Sequence, residues 1–211
     1  MGIDHAPVST PTFWDDLYAG GKDGWELGAA APPLAAWLDA EHRFVPRDDT
    51  GPARVAVPGA GRGHDARLLA RHGHRVWGFD FANAAVEQAR ALAQQEGVAV
   101  TYEQRDIFTL AAAYLGFFDG LWEYTCFCAI DPARRDEYVR TIHAMLRPGG
   151  TLLACFFPLR EGVDGPPFPV SHEEIERVLA QRFRIVESGP PVSSVEQRRG
   201  LEWLVRAERL A

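Results

Sequence analysis

Glycines at positions 59, 61 and 63 follow an apolar run, Val55-Ala56-Val57-Pro58, and an acid, Asp80, ends the next one, Val76-Trp77-Gly78-Phe79. Positions without side chains let backbone come close to a bulky ligand, and a carboxylate after the second run offers two oxygens to a ribose diol. The chemistry these residues support is the holding of a nucleoside cofactor. Glycine spacing decides which one. A dinucleotide fingerprint wants glycines at the first, third and sixth places, and the sixth place counted from Gly59 is His64. Glycines at the first, third and fifth places are the pattern usual for S-adenosylmethionine pockets. The competing readings are a tight turn with packing demands alone, and for Asp80 a cap on the helix that begins near Asn83.

Other chemistry-bearing residues are weaker signals. Cys126, Cys128 and Cys155 are odd in number and match no four-ligand spacing, so the sequence predicts buried, unreactive thiols and no metal site. His64-Asp65 is no catalytic dyad, because adjacent residues on a helix do not face each other; capping or cofactor contact suits the pair better.

The elements that must position these residues alternate along the chain. The pattern predicts helices over 11–18 and 32–38, with Thr10 as a cap before Pro11 and a proline pair, Pro32-Pro33, opening the second. A polar loop over 47–52 leads to a strand over 53–57. Helical pattern then covers 64–72, 83–95, 132–146 and 171–179; extended pattern covers 75–79, 98–103, 120–124 and 151–157. Arg147-Pro148-Gly149-Gly150 reads as a sharp turn, 162–169 as a Gly/Pro-rich loop over the pocket, and Ser171 with Glu174 as a capping box. Strands over 183–188 and 201–206 would close the sheet as a hairpin with a long connection. The expected fold is α/β, a mostly parallel sheet with helices on both faces. A length of 211 residues suits one domain, with 1–40 as a helical lid segment and 53–211 as the core. Net charge is −7, without a block of Lys or Arg, which argues against nucleic acid as a partner. No apolar run approaches bilayer length and 1–12 is no signal peptide, so no membrane role and a cytoplasmic enzyme are expected.

Four blocks in order carry a family likeness: Trp14, Tyr18 and Gly24-Trp25-Glu26-x-Gly28; Val57-Pro58-Gly59-x-Gly61-Arg62-Gly63-His64-Asp65; Tyr124-x-x-Phe127-Cys128-Ala129-Ile130-Asp131-Pro132-x-x-Arg135; and Gly165-Pro166-Pro167-Phe168-x-Val170. Together they resemble the thiopurine methyltransferase-like family, nearest its thiol, halide and thiocyanate branch, over about 14–179. The resemblance implies a seven-stranded Rossmann-like methyltransferase fold. It also implies an S-adenosylmethionine site built from Trp14, Tyr18, Trp25, Gly59, Gly61, Asp80, Asp106, Ile107 and Tyr124, with Arg135 near cofactor or substrate. Tyr18 stands where plant members usually carry tryptophan. On this reading Asp106 accepts the adenine amino group, Ile107 packs on the ring, and the aromatic set closes over the sulfonium. The competing readings are a capping aspartate and core tryptophans.

The reaction implied is in-line methyl transfer to a small soft acceptor (halide, thiocyanate, bisulfide or a small thiol), which needs no dedicated general base. Trp14, Phe127, Phe156, Phe157 and the loop over 162–168 are expected on the acceptor side. The protein is expected to be a monomer or weak homodimer. Rival readings are an aromatic-thiol methyltransferase, an NAD-dependent oxidoreductase, and a cofactor-binding protein without activity.

Overall fold

Strand β1 (Arg54–Pro58) is buried from its second residue onward, as a parallel strand covered on both faces must be. The computed structural model describes residues 8–40, 45, 51–162 and 164–211; most of the loop expected over 47–52 and the first residues of the lid segment lie outside them. Around β1 a seven-stranded sheet runs in the order β3-β2-β1-β4-β5-β7-β6. The other strands are β2 (Arg75–Asp80), β3 (Thr101–Gln104), β4 (Phe118–Tyr124), β5 (Leu146–Phe156), β6 (Phe183–Gly189) and β7 (Trp203–Arg209). Only β7 runs against its neighbours, inserted between β5 and β6. This is the expected Rossmann-like methyltransferase fold with its C-terminal hairpin.

The α-helices among the described residues are α1 (Pro11–Ala19), α2 (Pro32–Asp39), α3 (His64–Arg71), α4 (Asn83–Gln95), α5 (Leu110–Ala113), α6 (Arg135–Met145) and α7 (His172–Leu179). Successive strand residues point to opposite faces, so β4 feeds two cores. Leu121 joins Tyr138, Ile142 and Leu179 on one side, while Trp122 joins Leu34, Leu69 and Val86 on the other. Burial of such side chains contributes about 1.5–3 kcal/mol each.

Local differences from the sequence reading have identifiable causes. Strand β3 begins at Thr101 rather than 98, because Gly97 (φ 64°) and the Val98 N–H bonded to the Ala93 carbonyl finish α4. The helix expected over 132–146 opens as a 3-10 turn, Pro132–Arg134, capped by Asp131, whose side chain accepts from Ala133 N–H. The expected turn at 147–150 is a bulge within β5: Leu146 pairs with Phe118 and Thr151 with Gly120. Ser171 caps α7 as expected, but Glu174 bonds Arg135 instead of completing a capping box. The chain reverses strand order between β1 and β4, and ligands of open α/β sheets bind at the carboxyl ends beside that switch. Among the described residues no helix is long and apolar enough to cross a membrane.

Candidate active site

A cavity of ≈ 1140 Å³ opens beyond the carboxyl ends of β1, β2 and β4. Trp14, Tyr18, Trp25, Gly59, Gly61, Asp80, Asp106, Ile107 and Tyr124 all line it. The residues expected to bind the cofactor converge there, with one exception, Arg135.

The glycine turn forms the floor. Gly59, Gly61 and Gly63 all have positive φ, which strains any other residue, and a Cβ on Gly59 would fall 2.8 Å from that of Cys126. Asp80 fixes the turn: one oxygen accepts from Gly61 N–H at 2.8 Å, the other from Ala82 N–H at 2.9 Å. Asp80 does not cap α4, whose N-cap is Ala82 with no side-chain cap bond; its two turn bonds still leave room for a ligand, since a carboxylate has about four lone-pair sites. Burial raises its pKa against the pull of these backbone donors. Asp106 likewise accepts from Phe108 N–H at 3.0 Å while facing the cavity.

Helix α1 and the segment after it make the lid. Trp25 packs edge-on against both Trp14 and Tyr18, each at 5.6 Å between ring centroids. Asp15, which sequence reasoning missed, anchors the lid by accepting from Ala84 N–H at 3.0 Å in the first turn of α4. Arg62, inside the glycine turn, pairs with Asp23 at 2.5 Å and Glu26 at 3.1 Å, so the lid is tied to the floor by charge. His64 Nε2 lies 3.1 Å from Glu26, and Glu26 also accepts from Gly28 N–H at 2.7 Å. Burial opposes ionisation of Glu26, but His64, the Gly28 N–H and Arg62 outweigh it and lower its pKa to about 2. Asp65 accepts from Ala31 N–H at 2.6 Å and Trp122 Nε1 at 2.7 Å, joining α3 to the start of α2 and to β4. Burial raises its pKa over the pull of those donors.

The opposite wall centres on Tyr124. Its hydroxyl donates to Glu202 at 2.5 Å and accepts from Arg198 at 2.5 Å. Arg198 also donates to the Trp25 carbonyl at 2.8 Å, and its guanidinium lies 4.9 Å from the Phe157 ring centre and 5.2 Å from that of Tyr124. Ser194 donates to the second oxygen of Glu202. Arg198 and Trp25 stand 173 positions apart, so no local pattern announces their meeting; Arg198 sits on the 3-10 turn Glu196–Arg198, in the connection between β6 and β7. The three cysteines are free and buried, and burial pushes each thiol up, Cys128 to about 12. Those facing the cavity, Cys126 and Cys128, are neutral apolar wall.

Three expectations need correction. Arg135 does not face the cavity; it is buried, bonded to the carbonyls of Phe168 and Pro169 and to Glu174. Phe127 and Phe156 pack edge-on against each other in the core, whereas Phe157 reaches the cavity. Of the expected covering loop, Gly165 through Phe168 line the cavity and Gly162 does not; Val163 lies outside the described residues.

The family model described as Thiopurine S-methyltransferase (TPMT) matches residues 9–209. Probable thiol methyltransferase 2 of Arabidopsis thaliana is 30% identical over 196 residues, which span 92% of this chain and 83% of that protein. Thiocyanate methyltransferase 1 of Brassica oleracea is 28% identical over 200 residues, spanning 93% and 84%. The crystal structure of Burkholderia thailandensis 1,6-didemethyltoxoflavin-N1-methyltransferase, with bound 1,6-didemethyltoxoflavin and S-adenosylhomocysteine, superposes with a TM-score of 0.73. That chain is 26% identical, and the match covers 99% of this chain and 93% of that one.

Proposed function

Since the chain belongs to the thiopurine S-methyltransferase family, we propose that this S-adenosylmethionine-dependent methyltransferase serves a small soft nucleophile, namely thiocyanate, halide, bisulfide or a small thiol. The residues present fit the cofactor. A floor that leaves no room for side chains, an acid at the end of β2, and an aromatic lid surround one cavity. Gly59, Gly61 and Asp80 would hold the methionine and ribose parts, Asp106 and Ile107 the adenine, and Trp14, Tyr18, Trp25 and Tyr124 the region of the sulfonium. When bound, the cofactor supplies a methyl group already activated by its positive sulfur.

The observation that carries the choice of acceptor is Arg198. It is a fixed guanidinium in the cavity wall, stacked on Phe157 and Tyr124. A cation set among aromatic rings attracts an anion while offering few donors to replace its hydration, an arrangement suited to weakly hydrated, polarisable ions. Such acceptors arrive deprotonated, so the protein's work is alignment and the exclusion of water. The neutral thiols of Cys126 and Cys128 add soft, polarisable surface.

One observation favours a second reading. A volume of ≈ 1140 Å³ exceeds the roughly 300–1,000 Å³ of ordinary ligand pockets, which leaves space for an aromatic thiol. Headspace gas chromatography with iodide, thiocyanate and bisulfide tests the first reading: volatile methylated products that need both protein and cofactor are expected. Turnover of aromatic thiols with none of the three anions would transfer the assignment to the bulkier class.

A further inference from the structure

We infer that Arg135 is a positioning residue for the acceptor: it clasps the segment 165–170 against the cavity and so sets how tightly the acceptor is held, with no part in cofactor binding. The inference rests on the methyl-transfer reading above and assigns one wall of that site to a residue outside it.

Gly165 through Phe168 line the cavity, so this segment is its wall rather than distant surface. The wall has few elements of its own. Beyond a single bridge between Leu159 and Val170, no strand or helix includes it among the described residues. Arg135 reaches it from the first turn of α6. Nη1 donates to the Pro169 carbonyl at 2.9 Å and Nη2 to the Phe168 carbonyl at 3.2 Å, consecutive groups on the segment. Glu174 of α7 accepts from the same Nη1 at 2.6 Å, and the guanidinium lies 4.7 Å from the centre of the Phe127 ring. A charged side chain only 3% exposed is costly to bury unless partners repay it. Here the partners are one carboxylate and two loop carbonyls, while Nε remains a buried donor without a bond. The loop is thus what this charge is buried for.

The base of the clasp is rigid. Phe127, under the guanidinium, gives its N–H to the buried carboxylate of Glu123 at 2.8 Å, and Glu123 is bonded in turn to Tyr138 of α6. From the other side the Phe168 N–H donates to the Cys128 carbonyl at 2.7 Å, fastening the loop to the turn after β4. The acceptor wall and the β4 turn therefore share one frame, with Arg135 as its cross-piece. Releasing the clasp lowers the population of the closed wall. Apparent acceptor affinity falls by that same factor, whereas the glycine floor and Asp80 are untouched.

The experiment compares wild type, Arg135→Gln, Arg135→Lys and Glu174→Gln in steady-state kinetics with thiocyanate, alongside calorimetric titration with S-adenosylhomocysteine. Arg135→Gln should raise the thiocyanate KM about tenfold with kcat and the S-adenosylhomocysteine Kd little changed; Lys should recover part of the loss, and Glu174→Gln should shift KM in the same direction. An unchanged KM, or a Kd that weakens in step with it, overturns the inference. Hydrogen exchange of the S-adenosylhomocysteine complex provides a reading independent of turnover. Faster exchange in Arg135→Gln or Glu174→Gln confined to the amides of Phe168 and Val170 supports the clasp, and unchanged exchange there refutes it. If wild type methylates none of iodide, thiocyanate and bisulfide, the acceptor assignment falls, and exchange alone decides the clasp.

Discussion

Both oxygens of Asp80 accept backbone N–H groups, so removing its charge loosens the glycine turn as well as the ribose contact assigned to it. A hydrogen bond to a charged group contributes about 1.5–3 kcal/mol. Asp80→Asn is therefore expected to weaken S-adenosylhomocysteine binding about ten- to hundredfold by calorimetry, with the melting temperature of the free protein lowered only modestly. Glu123 yields a pH prediction. Burial pushes its pKa from 4.5 to about 7, against Tyr138 and the N–H groups of Phe127 and Cys126. The folded protein thus keeps a proton that the unfolded chain has lost. Stability from this group is fullest below pH 4.5 and declines as pH rises through about 7, by roughly 3 kcal/mol in all. Glu26 acts in the opposite sense: with its pKa at about 2, its contribution is present above pH 4.5 and lost as pH falls through 2. Urea midpoints between pH 5 and 8 should fall with pH in wild type and flatten in Glu123→Gln, which can accept from Phe127 N–H and donate to Tyr138. An equal slope in both would remove Glu123 as the cause. At this scale the sequence revealed the residues whose spacing is itself the signal, Gly59, Gly61 and Asp80. It could not reveal Arg62 as the lid's ionic anchor, since its carboxylate partners, Asp23 and Glu26, come from a segment with no periodic pattern. Arg135 was legible as important but not for what it does, because position in a motif does not state where a side chain points.

Two glycines with nearly the same backbone show how much an element depends on its surroundings. Gly63 (φ 71°) precedes α3, and a Cβ there would lie 2.2 Å from the Tyr102 hydroxyl, which itself donates to the Gly63 carbonyl. Gly97 (φ 64°) ends α4 with nothing within 4 Å of that position. Left-handed backbone costs a non-glycine residue about 1–2 kcal/mol, and overpacking adds about 1–3. Gly63→Ala should lose about 2–5 kcal/mol in urea unfolding and weaken cofactor binding, whereas Gly97→Asn should lose less than about 1 kcal/mol. Comparable losses in the two would show that steric crowding by Tyr102 is unimportant. Elements with a clear period and a stop signal were legible: α4 occupies Asn83–Gln95, the span its pattern predicts. Helix α5 and the 3-10 turn Ile107–Thr109 were not, being too short to show a period. The bulge in β5 was hidden because Arg147-Pro148-Gly149-Gly150 has the composition of a turn, and only pairing with β4 reveals that the strand continues around it.

For the whole molecule, lid, floor and far wall meet around one cavity, so a ligand that bridges them should stabilise all three together. At a free concentration a hundred times its Kd, S-adenosylmethionine should add about 2.7 kcal/mol, raising the melting temperature of a protein this size by about 5–10 °C. NAD at the same concentration should give no shift; a larger shift with NAD would unseat the cofactor assignment. The architecture was legible from alternating patterns, because each strand–helix step carries its own period. The closing contact was not, since Trp25 and Arg198 lie 173 positions apart, with Arg198 in the connection between β6 and β7. The insertion of β7 between β5 and β6 sets a timetable for synthesis. The ribosome releases the flap first, the platform next, and the bolt that fastens them last. A nascent chain interrupted before Ser194 would carry an empty slot in its sheet and a flap fastened at one edge alone, making it a target for quality-control proteases rather than a slow enzyme.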